Sequence, residues 1–465
     1  MPRVVVIGAG ISGLTLAYRL QERLPGHDVI VLEANGRAGG TIDTLPRDGF
    51  LVEAGPNGFP DNNPSTFDLA RQLGLETSLL PASEAAARNR FVLLDGHLRL
   101  LPNSFGSFLR SDLLSWIAKF HVFAERWRPA RTTTADESID AFVRRRVGGE
   151  IANTLADAFV TGILAGDPRL ISMAAAFPKV AAWEREHGSL MRGMVAARKE
   201  RRARECGDGL TRRAGTMWSF RGGLATLIRG LTEQLRHPPE VGVAVRRVRR
   251  DGRGWRVEAD GRDGLQADAV VLACPAYRQA EIVADTDAAL AERIGGIVYN
   301  RVAVVALGFR RVDVPHRLDG FGYLSPQRER RDVLGVQWCS SIYPERAPTD
   351  RVLVRALCGG WNRGEMLDWP DDRLLRAVQA ELTRSLGILR PPLFHQIIRW
   401  HRAIPQYHLG HLDRVAWIEA RLAAHPGLFV GGNAYRGVAI NDCVEQAGLL
   451  AERVAAWANR PADVA

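Results

Sequence analysis

The sequence predicts a mixed α/β fold in which one lobe is assembled from distant parts of the chain. Near the amino terminus, the apolar strand of residues 4–7 leads into a glycine-rich turn at 8–13 and then into a helix. Near the carboxyl terminus, the apolar strand of residues 428–430 leads into two glycines, and a helix from 442 to about 457 follows. These ends predict a Rossmann-like lobe, and the chain between them supplies a mixed-sheet lobe and a helical lobe.

Each further element follows from a local pattern. Residues 28–32 form a second apolar strand, which completes a βαβ unit of about 30 residues with the strand at 4–7 and a helix at 11–24. The run Thr134-Ala135-Asp136-Glu137 is typical of a capping box, and the helix it opens should end at Gly148. Further helices are predicted over 65–73, 104–127, 150–164, 190–205 and 224–235, and further strands over 241–248, 254–258, 269–273, 301–309 and 351–357. The charged stretch 198–213 is expected to be a mobile surface segment.

Length and composition are those of a globular protein. The chain has 465 residues, of which 46% are hydrophobic and 25% charged, and this suggests two or three domains. The net charge is +10, which anionic lipid, carboxylated substrates or a generally arginine-rich composition would each explain. No zinc-finger, RRM or KH pattern supports a nucleic-acid partner, so none is expected.

The sequence indicates a cytoplasmic location. The five cysteines are scattered and form no C-x-x-C motif, which favours a reducing compartment. The apolar run at 4–7 is too short for a signal peptide, and no stretch approaches the roughly 18 apolar residues of a membrane span. Any membrane contact should therefore be peripheral, on the inner face of the cytoplasmic membrane.

The glycines at 8–13 have the spacing of a dinucleotide-binding turn. Gly8 permits the tight turn, Gly10 lets the backbone approach a pyrophosphate, and Gly13 lets the helix lie against the strand. The amino terminus of the helix offers free N–H groups to phosphate oxygens. Glu33 follows Gly13 by about 20 residues and can accept hydrogen bonds from the adenosine ribose. The place of this motif between a strand and a helix predicts a bound dinucleotide.

Further motifs occur in the order and at the approximate spacing of one enzyme family. Arg37-Ala38-Gly39-Gly40 supplies a second glycine turn, and Glu53-Ala54-Gly55-Pro56-Asn57-Gly58-Phe59 follows it. Other such segments lie at 161–168, 220–224, 319–324 and 404–411, and the last is G-x-x-x-x-G-V-A-I-N-D at 432–442. Together they resemble the oxygen-dependent protoporphyrinogen and coproporphyrinogen oxidases of the FAD-binding amine oxidase superfamily, most closely the protoporphyrinogen oxidases.

The resemblance implies a noncovalent FAD that is held from both ends of the chain. Amine oxidases often carry an attachment cysteine near the carboxyl-terminal glycines, and Asn433-Ala434-Tyr435 offers none. The residues expected to contact FAD are Gly8, Ala9, Gly10, Ile11, Ser12, Gly13, Glu33, Ala34, Arg37, Gly40, Thr41, Gly55, Pro56, Asn57, Gly58, Val245, Asn433, Val438, Ala439 and Ile440.

The resemblance also implies a substrate site. Arg90 matches an arginine that pairs with a substrate propionate, and Gly162 lies where the substrate passes close to the backbone. Phe321 and Leu324 match apolar residues that sandwich the macrocycle. Asn57 is the candidate catalytic residue, because it could orient the substrate or a water molecule, and no general base is evident.

The implied reaction is the six-electron oxidation of protoporphyrinogen IX to protoporphyrin IX in haem biosynthesis, with O2 reduced to H2O2. The oxidation of coproporphyrinogen III to coproporphyrin III is the alternative. More remote alternatives are an oxidase of amines or carotenoids, a non-catalytic binding protein of the same fold, and a basic protein that binds nucleic acid or lipid. The histidines offer no metal site, because no cysteine or carboxylate set completes a ligand pattern with His401, His408 and His411.

The resemblance and composition together divide the chain into domains and suggest contacts. We expect FAD-binding parts at 1–85 (with the start of the substrate lobe), 215–285 and 405–465, a helical substrate-entrance domain at 86–214, and a substrate-binding sheet at 286–404. Trp116 and Trp127 should lie on a membrane-facing apolar surface. The cations expected near anionic headgroups are Arg110, Lys119, Arg126 and Arg128. A homodimer and a transient contact with the next enzyme of the haem pathway are further expectations.

Overall fold

The computed structural model describes residues 1–133, 135–205, 216–252, 254–329 and 331–460. The strands, in chain order, are β1 (Arg3–Ile7), β2 (Asp28–Glu33), β3 (Thr44–Arg47), β4 (Phe50–Glu53), β5 (Phe59–Pro60), β6 (Leu79–Pro81), β7 (Phe91–Leu94), β8 (His97–Leu100), β9 (Met217–Phe220), β10 (Glu240–Val241), β11 (Val245–Asp251), β12 (Gly254–Ala259), β13 (Leu265–Ala267), β14 (Ala269–Leu272), β15 (Val302–Arg310), β16 (Gly322–Leu324), β17 (Val333–Gln337), β18 (Arg351–Gly359), β19 (Phe394–Trp400) and β20 (Leu428–Val430).

The helices are interspersed with these strands. In chain order they are α1 (Ile11–Arg23), α2 (Ser65–Gln72), α3 (Glu84–Arg88), α4 (Phe105–Arg110), α5 (Trp116–Ala124), α6 (Ile139–Val147), α7 (Gly149–Ile151), α8 (Asp157–Leu164), α9 (Met173–Ala176), α10 (Pro178–His187), α11 (Leu190–Glu205), α12 (Ala225–Gln234), α13 (Ala276–Val283), α14 (Ala288–Gly295), α15 (Cys339–Ile342), α16 (Asp371–Leu386), α17 (His411–Leu422) and α18 (Ile440–Ala458). None of the described helices combines the length and the apolar character that crossing a bilayer requires.

A five-stranded parallel sheet forms the centre of the first lobe, in the order β10-β2-β1-β14-β20. Its strands come from both ends and the middle of the chain, which confirms the predicted assembly of a Rossmann-like lobe. The central strands β1 and β14 are almost entirely apolar, as expected for strands whose two faces are both covered, whereas the edge strand β10 is exposed. Helices α1, α2, α12 and α18 pack on one face, and α13, α14, α17 and the antiparallel sheet β11-β12-β13 pack on the other.

A seven-stranded mixed sheet forms the second lobe, in the order β19-β15-β18-β17-β16-β7-β8. Its neighbouring strands are antiparallel except for β16 and β7, where Tyr323 and Leu324 pair in parallel with Phe91 and Val92. Helix α16 packs against one face through an apolar stripe. The pairing of β16 with β7 brings the residues around 90 next to those around 321, although more than 200 positions separate them.

Helices α4 to α11 form the third lobe, with local differences from the sequence expectations. The predicted helical region at 104–127 is interrupted after Arg110, because the Ser115 hydroxyl accepts a hydrogen bond from the Ala118 N–H and starts a new helix at α5. The capping box predicted at Thr134 involves a residue outside the described ranges. The following helix, α6, is capped by Ser138 and ends at Gly148, as expected.

Three other sequence expectations change in the structure. The strand predicted over 241–248 is divided between β10 and β11, which belong to different sheets, because Gly242 turns the chain with φ +73°. The carboxyl-terminal helix begins at Ile440, two residues earlier than predicted. Residues 198–205 of the charged stretch 198–213 form the end of helix α11, and residues 206–213 lie outside the residues that the structure describes.

Candidate active site

The turn at residues 8–13 forms a backbone cradle beside open space. A Cβ on Gly8, which has φ +111°, would lie 2.7 Å from the Cys274 N, and a Cβ on Gly13 would lie 1.9 Å from the Gly8 carbonyl oxygen. A Cβ on Gly10, by contrast, would meet no described atom within 4 Å. Helix α1 begins at Ile11 without a side-chain cap, so its first N–H groups are left for a ligand. Glycine is thus required to shape the turn, and space remains at Gly10 for an anion.

Glu33 lies at the end of β2, next to this turn. Its buried carboxylate accepts three hydrogen bonds: from the Ala9 N–H at 2.8 Å, from the Asn35 N–H at 2.9 Å and from the Asn35 side-chain amide at 2.6 Å. A carboxylate has about four acceptor positions, so Glu33 retains capacity for a ribose hydroxyl. The Val243 N–H donates to the Glu33 carbonyl at 2.8 Å. This hydrogen bond holds the start of β11, at Val245, close to Glu33.

The second glycine turn closes over the first. The Gly39 N–H donates to the Ala9 carbonyl at 2.7 Å, and a Cβ on Gly40 would lie 3.4 Å from the Gly10 Cα. The Arg37 guanidinium donates to the Gly40 carbonyl at 2.9 Å and so holds this turn in place. The predicted contact residues of this part of the chain are exposed or half-buried: Ala34, Arg37, Gly40 and Thr41.

Residues 53–58, hereafter the 53–58 segment, pack tightly beside the glycine turns. A Cβ on Gly55 would lie 2.1 Å from the Thr41 carbonyl oxygen. Asn57 is buried, and its Oδ1 accepts no hydrogen bond from any described residue. A buried acceptor without a donor is unfavourable, so this oxygen is available to a ligand. The half-buried residues of the segment are Gly55, Pro56 and Gly58.

The carboxyl-terminal motif joins the same site. The Asn433 carbonyl accepts a hydrogen bond from the Tyr407 hydroxyl, which fixes the chain after β20. At the start of α18, the Asn441 side-chain amide donates to the Pro60 carbonyl at 2.7 Å, just beyond the 53–58 segment. The predicted contact residues here are half-buried or buried: Asn433, Val438, Ala439 and Ile440. The structure therefore brings the motifs from both ends of the chain together.

The four predicted substrate residues form two contacting pairs. The Arg90 guanidinium carbon lies 5.1 Å from the centre of the Phe321 ring. A Cβ on Gly162, in α8, would lie 2.5 Å from the Leu324 Cδ2, so Leu324 occupies the space that a side chain at 162 would need. Because β16 pairs with β7, both pairs lie around these two neighbouring strands of the mixed sheet.

Arg90 is the charged member of these two pairs. It is exposed to solvent, yet desolvation by the surrounding protein lowers the pKa of its guanidinium. The guanidinium still carries its charge at physiological pH, and its donors match a carboxylate in a bidentate geometry.

Contacts through Tyr343 connect this substrate region with the 53–58 segment. The partly buried Phe321 packs against an apolar cluster that contains the buried Tyr343. The Tyr343 hydroxyl oxygen lies 2.5 Å from the position of a Cβ on Gly58. Phe321 and Gly58 therefore both lie against this cluster, which brings Phe321 near the 53–58 segment.

Two side chains that hold the 53–58 segment were not predicted. Arg355 Nη1 donates to the carbonyls of Glu53 and Gly55, at 2.6 and 2.9 Å. Trp400 Nε1 donates to the Ala54 carbonyl at 2.8 Å. The sequence could have indicated Arg355, because it interrupts an apolar strand and a buried charged side chain needs a partner. No feature of the sequence indicated the role of Trp400.

A buried ion pair fixes the start of the segment. The Arg346 guanidinium lies 3.3 Å from a Glu53 carboxylate oxygen, and both side chains are buried. The Leu224 N–H donates to the same carboxylate at 3.0 Å, and the Thr44 hydroxyl donates to it at 2.8 Å. Burial raises the pKa of Glu53, and the Arg346 charge opposes that shift.

The histidines do not converge on a metal site. His408 packs edge-on against Trp361 at 4.6 Å, whereas His411 stacks on Tyr407 at 4.2 Å. His401 directly follows β19, and its Nδ1 lies 3.3 Å from a guanidinium nitrogen of Arg301. The described residues contain no cluster of three or more histidine, cysteine or carboxylate side chains that could hold a metal ion.

The fold and the site define a flavoprotein oxidoreductase. The sequence profile of the family described as flavin containing amine oxidoreductase matches residues 11–455. The chain belongs to this family, and its cofactor is FAD.

Known relatives cover almost the whole chain. It is 30% identical to the coproporphyrinogen III oxidase of Bacillus subtilis (strain 168), across 95% of this chain and 96% of the relative. It is 33% identical to the chloroplastic protoporphyrinogen oxidase of Nicotiana tabacum, across 98% of this chain and 86% of the relative. A crystal structure from Exiguobacterium sp. 255-15, described as a protoporphyrinogen oxidase, superposes with a TM-score of 0.83 at 26% identity over 98% of this chain and 99% of that one.

The residues present fit FAD. The open space at Gly10, beside the uncapped start of α1, suits a pyrophosphate. Glu33 retains acceptor capacity for a ribose, and the unpartnered Asn57 Oδ1 is a polar group that a ring system could satisfy. Gly10 and Glu33 lie at the carboxyl ends of β1 and β2, where open α/β sheets bind their ligands.

Proposed function

We propose that this chain oxidises protoporphyrinogen IX to protoporphyrin IX in haem biosynthesis. Six electrons leave the substrate in three two-electron steps, each of which reduces one O2 to H2O2. The observation that carries the proposal is the contact of Arg90 with Phe321 beside the 53–58 segment, because a cation against an aromatic wall suits an anionic macrocycle. The names of the relatives support the same substrate class.

The chain's own residues bind and orient the substrate. FAD, when bound, supplies the redox chemistry. Arg90 pairs with a propionate, and Phe321 and Leu324 contact the apolar faces of the macrocycle. Leu324 keeps its place because residue 162 is glycine, and a side chain there would push it towards the substrate. Asn57 orients the substrate or a water molecule through its free Oδ1.

Coproporphyrinogen III is the alternative substrate. It carries propionates where protoporphyrinogen carries vinyl groups, and the Bacillus subtilis relative is named for it. Both substrates present the same macrocycle faces to Phe321 and Leu324, so the two candidates differ only in their peripheral groups. Steady-state kinetics with both porphyrinogens on one preparation should give the higher kcat/KM for protoporphyrinogen. The reverse ratio would select the alternative, and no turnover of either would favour an amine or carotenoid oxidase or a non-catalytic protein.

The FAD should be bound noncovalently. No cysteine occurs in the Asn433-Ala434-Tyr435 segment, and the nearest downstream cysteine, Cys443, is buried within α18. Burial also raises the pKa of the Cys443 thiol to about 12, which keeps it unreactive. Acid precipitation should therefore release the yellow colour into the supernatant. Flavin that stays with the protein pellet would show a covalent bond.

We also propose a peripheral contact with the inner face of the cytoplasmic membrane. Five large apolar side chains of the helical lobe are 65–71% exposed and form what we term the apolar helical patch: Phe105, Trp116, Ile117, Phe120 and Trp127. The expected cations are only partly available. Arg110 and Arg126 are exposed, but Lys119 is buried and donates to the Leu109 carbonyl at 2.9 Å, and Arg128 donates to the Arg145 carbonyl.

Liposome flotation tests this contact. The double variant Trp116→Ala, Phe120→Ala should lower recovery with anionic vesicles several-fold, because about 25 cal/mol is lost for each Å² of apolar surface that no longer inserts. The matched control is Val312→Ala with Leu389→Ala, two side chains that are 87% and 81% exposed outside the helical lobe. Equal recovery of wild type and the patch variant, with unchanged melting temperatures, would refute the membrane contact. The homodimer and the contact with a later pathway enzyme stay predictions.

A further inference from the structure

We infer that Arg355 and Trp400 are positioning residues, which fix the 53–58 segment against FAD and so set the properties of the bound flavin. Together they donate to the carbonyls of three successive residues, Glu53, Ala54 and Gly55. The inference rests on the proposed function only through the assignment of the segment to FAD.

Arg355 is itself held rigidly. It pairs in register with Gln337 of the neighbouring strand β17. The Gln337 Oε1 accepts from Arg355 Nε at 3.2 Å and from Nη2 at 2.8 Å, while Nη1 donates to the segment. The guanidinium therefore binds Gln337 of the mixed sheet on one side and the 53–58 segment on the other. It fixes the position of residues 53–55 relative to the mixed sheet.

The burial of Arg355 argues for a role beyond packing. The residue is 3% exposed, and desolvation lowers the pKa of its guanidinium. A buried charge is unfavourable unless its hydrogen bonds are satisfied, and an apolar side chain would suit an apolar strand better. Unlike an apolar residue, Arg355 supplies donors to the carbonyls of Glu53 and Gly55.

The donors also orient the groups that remain free. In a trans peptide the C=O and N–H point in opposite directions. By holding the Ala54 carbonyl, Trp400 therefore turns the Gly55 N–H to the other side, where no described residue accepts it. The Gly55 N–H and the Asn57 Oδ1 are then a donor and an acceptor whose positions relative to FAD depend on Arg355 and Trp400.

The test is Trp400→Phe, with Trp255→Phe as its matched control. Each substitution removes one indole N–H that donates to a backbone carbonyl, that of Ala54 at 2.8 Å or that of Pro426 at 3.0 Å. Trp255 lies in β12, away from the site. We expect Trp400→Phe to shift the absorbance spectrum and the midpoint potential of bound FAD, measured without substrate. It should lower kcat about tenfold to a hundredfold with KM within about twofold, because the misplaced groups act at the reacting centre. Trp255→Phe should change none of these.

A second variant, Arg355→Lys, should shift the same flavin properties further, since an ammonium is a point donor that cannot span two carbonyls and Gln337. If it fails to fold, Trp400→Phe decides alone. A flavin spectrum and potential in Trp400→Phe equal to wild type, or equal shifts in the Trp255 control, would overturn the inference. If the flavin properties shift as expected but wild type turns over neither porphyrinogen, the proposed function fails and the positioning role stands.

Discussion

Replacing Gly10 with alanine should remove most FAD binding while leaving the fold intact. A Cβ at this position meets no described atom within 4 Å, and the backbone at φ −73° and ψ 176° is one that alanine adopts freely. The methyl group would nevertheless stand where the pyrophosphate approaches the turn. Hydrogen bonds to charged groups contribute about 1.5–3 kcal/mol each, so the loss of two predicts a Kd for FAD raised at least about a hundredfold.

Titration of the apoprotein with FAD, together with a thermal melt of the apoprotein, would measure both effects. Gly26→Ala is the control, because a Cβ there also meets nothing within 4 Å but Gly26 lies after α1, at its far end. Gly13→Ala should behave differently and lower the melting temperature as well, since its Cβ would lie 1.9 Å from the Gly8 carbonyl oxygen. An unchanged Kd in Gly10→Ala would mean that the cofactor does not approach this turn.

Arg90→Ala should raise KM for the porphyrinogen about tenfold to a hundredfold. A charge-assisted pair with a propionate contributes about 1.5–3 kcal/mol, and each 1.4 kcal/mol is about tenfold in affinity. The effect should fall on KM rather than kcat, because a propionate at the edge of the macrocycle is held alike in the ground and transition states. FAD content should stay at the wild-type value.

Two further variants make the Arg90 result specific. Arg90→Lys should recover only part of the loss, because an ammonium cannot reproduce the two parallel hydrogen bonds of a guanidinium. Arg373→Ala removes an arginine that also lies over an aromatic ring, 3.9 Å from that of Trp369, but on α16 of the mixed-sheet lobe. It should leave KM unchanged. A KM for Arg90→Ala that matches wild type with both porphyrinogens would remove Arg90 from the substrate site.

The sequence predicted those features that depend on local pattern. The turn at 8–13 and the strands on either side of it were recognisable because glycine spacing and apolar runs are read within about 30 residues. The break between α4 and α5 was missed because apolar residues continue at helical spacing across Ser111 and Ser115. In the structure, α4 ends before Ser111, and Ser115 caps the start of α5. Lys119 illustrates the same limit, because its burial depends on carbonyls at the end of α4.

The support of the site depended on long-range register and so could not be predicted. Arg355 reaches Glu53 and Gly55 only because β18 lies beside β17 and against the end of β4. Arg90 meets Phe321 only because β7 joins the mixed sheet in parallel with β16. Motif resemblance placed Arg90, Phe321 and the 53–58 segment in a common site, but the contacts that hold them follow from the assembled sheets.

The strand order β10-β2-β1-β14-β20 has a consequence for how the protein is made. Strand β2 ends at Glu33, and its sheet is complete only when Leu428 and its neighbours emerge from the ribosome. At about 5–20 residues per second, the intervening chain takes roughly 20–80 s to synthesise. During that time the apolar strands β1 and β2 lack their final cover from α18, so the nascent chain is exposed to aggregation and needs chaperone protection. Only the finished chain can hold FAD from both ends, so FAD binding should stabilise newly made protein. Riboflavin starvation should therefore lower the steady-state amount of this protein in the cell.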